Sequence, residues 1–253
     1  MASLNEMIDA LDELLDASAF RDYCPNGLQV EGAGEVSRVV TGVSASVELF
    51  EQALARGAQL VLVHHGLFWN GDDPRVVGPR RARLEMLLGA RVSLAAYHLP
   101  LDAHPLVGNN AIIAKGLGAD PTSAFAEVEG RPIGWIGRFA GEGIARAELA
   151  ARLAGLTGRE PLAFLEGPDP VRSVGVVSGG GGRSVQDAIA AGLDAFVTGE
   201  AEEWARTLAR EARISYLAGG HHATETFGVR ALGELLVERY GVEHSYVEIA
   251  NPV

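Results

Sequence analysis

Short apolar runs alternate with helix-patterned stretches along most of this chain, and no other feature limits its fold as strongly. In the first half RVVTGV (38–43), AQLVLVHH (58–65) and RVSLAAYH (91–98) read as strands, with SVELFEQALARG and GPRRARLEMLLGA as helices between them. Strands apolar on both faces and joined by helices belong to sheets with parallel strands covered by helices. In the second half VRSVGVVS, DAFVTGE and RISYLAGG read as strands, separated by the helices SVQDAIAAGL and AEEWARTLARE. A helix over TETFGVRALGELLVERYG and a strand over EHSYVEIA close the chain. GRPIGWIGRFA reads as a further strand and ARAELAARLAGLTG as a further helix. The opening SLNEMIDALDELLDA is a helix whose Ser3 and Glu6 form a capping box. Its Leu4, Met7, Ile8, Leu11, Leu14 and Leu15 share one face.

The halves can be laid over each other. VVTGVS matches SVGVVSG, ARGAQLVLV matches AAGLDAFVT, and RVSLAAYHLPLD matches RISYLAGGHHATE. Identity is low, so chance similarity stands as the alternative to duplication; the expected organisation is two similar α/β lobes, 1–125 and 126–253. Open α/β sheets bind ligands beyond the carboxyl ends of their strands. The polar residues of this chain gather there: His64, His65, His98 and Asp102 in the first half, and Glu200, His221, His222 and Glu225 in the second. Two such edges facing each other would make one shared site.

Neighbouring side chains on a regular strand point to opposite faces, so His64 and His65 can serve one site only where the strand is ending. Three imidazoles (His64, His65, His221) and two carboxylates (Asp102, Glu225) form a ligand set suited to zinc, manganese, iron or cobalt. Five ligands exceed what one catalytic ion needs, but they suit two ions if a carboxylate bridges them. His221 and Glu225 are four residues apart and share a face if a helix starts there. Each element alone has a structural explanation. A strand-end histidine can be a hydrogen-bonded edge residue, Asp102 can cap the next helix, and GGHHATETFG can be a turn capped by Thr224. What favours a metal site is clustering: six of the seven histidines lie in three segments that follow strands, and only His244 lies elsewhere.

Charge narrows the partners. The net charge is −12, which argues against nucleic acid, whose binding needs a basic surface. GPRRARLE (78–85) is the one compact basic cluster and reads as a solvated helix face. No apolar run reaches the roughly 18–20 residues of a membrane span, and the first residues show no signal-peptide pattern. Cys24 is the single cysteine, so there is no intrachain disulfide and no cysteine-rich zinc site. The expected setting is the cytoplasm.

CPNGLQVEG, VLVHHGLFW, YHLPLDAHPLVGNNA, DAFVTGE, GGHHATETFGVRAL and the terminal EIANPV occur in that order from Cys24 to Val253. Together they resemble the family of GTP cyclohydrolase 1 type 2 homologues. The resemblance implies two similar α/β lobes with mixed, largely parallel sheets flanked by helices, and two divalent metal ions in the cleft between the lobes. Carried over by position, His65 and Asp102 would hold one ion, His64 and His221 the other, and Glu225 would bridge. It also implies a homohexamer with sites facing an internal cavity. The length leaves no room for the mid-chain insert that some relatives carry.

Three further residues are candidates for proton transfer. His98 precedes Asp102 by four residues and reads as a shuttle or a buried hydrogen-bonded residue. His222 can orient its neighbour or act as acid or base. Glu200 can take a proton from the attacking water or merely start a helix. SGGGGRS (178–184) could cradle a phosphate or make a turn that needs positive φ. Pro25-Asn26-Gly27 is a turn, and Cys24 reads as packed rather than catalytic. Two functions follow. The first is a metal-dependent hydrolase of a small, nucleotide-like substrate, since divalent ions bring water's acidity toward neutrality and attract an anion that the net charge would repel. The second is a metal-binding or regulatory protein without catalysis.

Overall fold

The structure, a computed structural model, describes residues 2–253. Contacts divide these into two units: one of residues 2–101 and 228–250, the other of residues 102–227 and 251–253.

Unit 1 opens with β1 (Ala2–Ser3) and α1 (Leu4–Leu15). Ser3 caps α1 by accepting the Glu6 N–H, and Leu4, Met7, Ile8, Leu11 and Leu15 are its buried face. Leu14 is only half-buried. There follow β2 (Gly27–Val30), β3 (Glu35–Val36), β4 (Arg38–Ser44), α2 (Val47–Ala55), β5 (Leu60–His65), α3 (Gly78–Ala90) and β6 (Ser93–Ala96). β4, β5 and β6 pair in parallel, and β2 adds antiparallel to β6. Leu60 to Val63 are wholly buried, as expected of a strand covered on both faces.

The short α4 (Leu99–Ala103) leads into unit 2. Its elements are α5 (Asn109–Gly116), β7 (Asp120–Val128), β8 (Arg131–Arg138), α6 (Arg146–Thr157), β9 (Leu162–Leu165) and β10 (Ser173–Val177), then α7 (Val185–Ala190), β11 (Ala195–Thr198), α8 (Ala205–Ala212), β12 (Ser215–Ala218) and α9 (His221–Thr224). The sheet order is β7-β8-β10-β11-β12-β9. β10, β11 and β12 pair in parallel, and every other pairing is antiparallel. Its core joins Ile113 of α5, Leu117 just after it, and Leu149 and Leu153 of α6 to Val174, Val176, Val197 and Leu217 of the strands.

The chain then re-enters unit 1 along α10 (Thr226–Tyr240) and ends its sheet with β13 (Glu243–Tyr246), parallel to β4. These units are therefore drawn differently from 1–125 and 126–253. Ladder pairing of β13 with β4 carries residues 228–250 into the first unit. Burial of α5 in the other core carries residues 102–125 into the second. β2, β7 and β9 were not read from sequence, and the expected long helix from Thr224 breaks at Glu225 into α9 and α10. The five- and six-stranded sheets are mixed, partly parallel and flanked by helices, and β1 and β3 form a separate antiparallel pair. Among the described residues, no helix is long and apolar enough to cross a membrane.

Candidate functional site

In unit 1, β5 ends on the histidine doublet, and the two imidazoles are fixed from different sides. His64 is fully buried, and its Nδ1 lies 2.8 Å from the Tyr97 carbonyl oxygen just beyond β6. A carbonyl oxygen only accepts, so Nδ1 carries the hydrogen and the lone pair is on Nε2. His65 Nδ1 lies 3.0 Å from Ser44 Oγ at the end of β4, opposite it in the ladder. The two rings are 4.7 Å apart between centroids. The strand is ending there, as the doublet required. Gly66 begins the turn, and Gln29 Oε1 accepts the Leu67 N–H at 2.8 Å.

His98 joins them. Its ring lies 5.0 Å from that of His64 and 5.6 Å from that of His65. One ligating atom from each of His64, His65 and His98 lies within 4.8 Å of the others, close enough to hold a metal ion. His98 Nδ1 donates to Asp22 Oδ1 at 2.7 Å. Asp22 is itself held by Asn26 Nδ2 and the Leu99 N–H, at 2.9 Å each. Burial pushes the Asp22 carboxyl up, but the hydrogen bond and charge of His98, with Asn26 and Leu99, hold it below the usual carboxylate range. Asp22, Cys24 and His98 form a second such group. Burial and the Asp22 charge push the Cys24 thiol up to about 12, so it is a packed neutral thiol, as expected.

In unit 2 the ligand types change. His221, the first residue of α9, lies between two carboxylates: Nδ1 is 2.5 Å from Glu200 Oε1, and Nε2 is 3.2 Å from Glu225 Oε2. The spacing of four does place His221 and Glu225 on one face. Burial opposes the charge on His221. The hydrogen bond and charge of Glu225, joined by those of Glu200, outweigh it and push the imidazole up to about 9. Glu200 starts no helix, since α8 begins at Ala205; it orients His221. Asp102 lies inside α4 and caps nothing. Its Oδ1 accepts from Asn109 Nδ2 at 2.8 Å and from Ser178 Oγ at 3.0 Å. His222 is buried, and its N–H donates to the Val253 carbonyl.

The glycine loop after β10 supports this carboxylate cluster. Gly179 has φ +58°, and a Cβ there would collide with the Glu225 carboxylate. Its N–H donates to Thr224 Oγ1 at 3.0 Å, and its carbonyl accepts from Gly199 and Glu200. The turn reading of SGGGGRS therefore accounts for Gly179. Thr224 is no N-cap; its hydroxyl donates back to the Gly220 carbonyl. His104 Nδ1 accepts the Leu106 and Val107 N–H groups in a turn, and His244 Nε2 bonds Thr41 between β13 and β4.

Sequence reasoning missed Asp22, Asn26 and Gln29. All three lie in or beside CPNGLQVEG, a motif of the family resemblance whose residues were read as a turn and a packed cysteine, with no role at the site. The donor set fits a divalent metal: imidazoles oriented through Nδ1, as metal-ligating histidines usually are, with carboxylates nearby in their own unit.

The chain also matches known proteins over its whole length. Residues 2–252 match the family Duf34/NIF3 (NGG1p interacting factor 3). A Pseudomonas aeruginosa protein named GTP cyclohydrolase 1 type 2 homolog is 44% identical over 250 residues, covering 99% of this chain and 98% of that one. An Escherichia coli protein of the same name is 42% identical over 248 residues, with 98% of each chain covered. A solved structure of the protein ybgI, described as of unknown function, is 40% identical with a TM-score of 0.92, and each chain is covered in full.

Proposed function

This chain belongs to the Duf34/NIF3 family, and on that premise we propose that it is a metal-dependent hydrolase of a small, nucleotide-like substrate. The observation that carries the metal is the convergence of His64, His65 and His98 ligating atoms within 4.8 Å. The proposed ligands are His64 and His65 from unit 1 and Asp102, His221 and Glu225 from unit 2. They would hold two divalent ions, zinc, manganese, iron or cobalt, apportioned as the resemblance implies with Glu225 bridging. The substrate class rests on the name of the relatives, GTP cyclohydrolase 1 type 2 homolog.

When bound, divalent ions polarise the bond to be cut and bring water's acidity toward neutrality. The chain's own residues do the rest. The Tyr97 carbonyl fixes the tautomer and ring plane of His64, and Ser44 Oγ fixes the ring plane of His65. Glu200 accepts from His221 Nδ1 and sets the plane of that ring. His98, held by ionised Asp22, and His222 are the groups proposed to carry protons for the reaction, with Glu200 as an alternative base. Family resemblance further supports a homohexamer in the cytoplasm, which mass photometry and cell fractionation would check.

The test is to load the protein with manganese, zinc, iron and cobalt in turn and incubate it with GTP, other nucleotides and phosphoesters. Turnover above that of Glu225→Ala is expected with at least one metal. Metal uptake without turnover on any substrate would favour the second reading, a metal-binding or regulatory protein without catalysis.

A further inference from the structure

We propose that Tyr23 and Trp69 form a stacking site for the flat ring of a heteroaromatic substrate, beside the histidines of unit 1. This rests on the nucleotide-like substrate of the reading above and names the side chains that take its base. The metal ligands stay as they are.

Three observations converge. The first is place. Phe68 packs against the apolar core of unit 1, but the next residue, Trp69, packs against the histidines. Its ring lies 5.7 Å from that of His65 and 5.2 Å from that of His98. The Tyr23 ring lies 6.2 Å from that of His98. Two aromatic side chains from different loops thus border the histidine cluster beyond β5.

The second is uncovered ring surface. Tyr23 and Trp69 meet His98 edge-to-face, at 60° and 80°. Such a contact covers at most one face of a ring. Tyr23 is 53% exposed, and among the described residues it is the only aromatic among the exposed large apolar side chains. Ligand sites are lined mainly by apolar and aromatic side chains with a few polar groups, and these two rings supply the aromatic part next to the imidazoles.

The third is preorganisation. The Trp69 indole N–H donates to the Gly66 carbonyl at 3.3 Å. Asn70, the next residue, donates its N–H to the Tyr23 carbonyl at 2.7 Å and its Nδ2 to the Asp22 carbonyl at 3.0 Å. The loops that carry the two rings are therefore tied to each other, and little freedom is lost when a ligand arrives.

Charge favours the same ligand. A net charge of −12 gives the chain no broad attraction for an anion. A nucleobase or similar planar nitrogen heterocycle is uncharged and stacks through its face whatever the pattern on its edge. An aliphatic phosphoester has no such face, so the two rings select against it.

The test is calorimetric titration of the metal-loaded full chain with guanosine 5′-monophosphate and with ribose 5-phosphate, which differ by the base. The nucleotide should bind more tightly. Trp69→Ala and Tyr23→Ala should each weaken it about 5–150-fold and leave ribose 5-phosphate unchanged, with the metal content of the unaltered protein. Trp69→Phe and Tyr23→Phe keep an aromatic face and should retain most of the affinity. If alanine at position 69 disturbs the fold by circular dichroism, the exposed Tyr23 carries the test. Equal affinity for the two ligands overturns the proposal, as does failure of the nucleotide to bind. Alanine variants that weaken both ligands alike also overturn it. Base-dependent binding without turnover of any substrate would uphold the stacking site and end the hydrolase reading, and turnover with equal affinities would do the reverse.

Discussion

The runs β4-β5-β6 in unit 1 and β10-β11-β12 in unit 2 are both parallel, both linked by helices, and both flanked by an antiparallel strand, β2 and β9 respectively. Beyond the strand ends the chemistry differs. Unit 1 holds His64 and His65 through a backbone carbonyl and a hydroxyl, both neutral. Unit 2 clamps His221 between two carboxylates and holds Asp102 with a serine and an asparagine. One scaffold thus supplies imidazoles held by uncharged groups in one place and negative charge in another. The scaffold fixes where the strand-end residues are, and the residues in the loops fix their charge.

If the scaffolds are equivalent, matched cavities should cost the same. Val61 in β5 and Val197 in β11 are both fully buried, and each change to alanine should destabilise by about 2–3 kcal/mol. Unequal denaturant midpoints would break the equivalence. Gly179→Ala acts on unit 2 only. The left-handed backbone costs alanine about 1–2 kcal/mol, and the new methyl group displaces Glu225. Hydrogen exchange should speed up around α9 and leave β5 unchanged.

The carboxylate clamp also predicts a pH dependence. The folded pKa of His221, about 9, lies above its ordinary 6.5. Its stabilisation in chelator-treated protein is therefore complete below pH 6.5 and lost as pH rises through about 9. The loss should be about 1 kcal/mol after allowance for solvent screening of a side chain that is 29% exposed. Glu225→Gln should flatten the profile, and an unchanged profile would show that the clamp does not hold the proton. Ser44→Ala should have the smallest effect, about 0.5 kcal/mol from one neutral hydrogen bond. A larger loss than in Glu200→Gln would reverse the contrast between the units.

The parallel strands were legible because burial on both faces leaves an unbroken apolar run. β7 and β9 were not, because edge strands with most residues exposed or half-buried lack that run. The spacing of His221 and Glu225 was readable as a local, one-turn relation. Asp22 was not, since its partner is 76 residues away and only the fold pairs them. The capping alternative for Asp102 failed because its carboxylate accepts from Asn109 and from Ser178, which is also 76 residues away.

The most direct test of the account is elemental analysis of protein purified without a histidine tag or chelators, beside His65→Ala and Glu225→Ala. The account predicts divalent metal at up to two ions per chain, reduced in both variants. Metal at background in the unaltered protein, with none taken up on incubation with zinc, manganese, iron or cobalt, would contradict it.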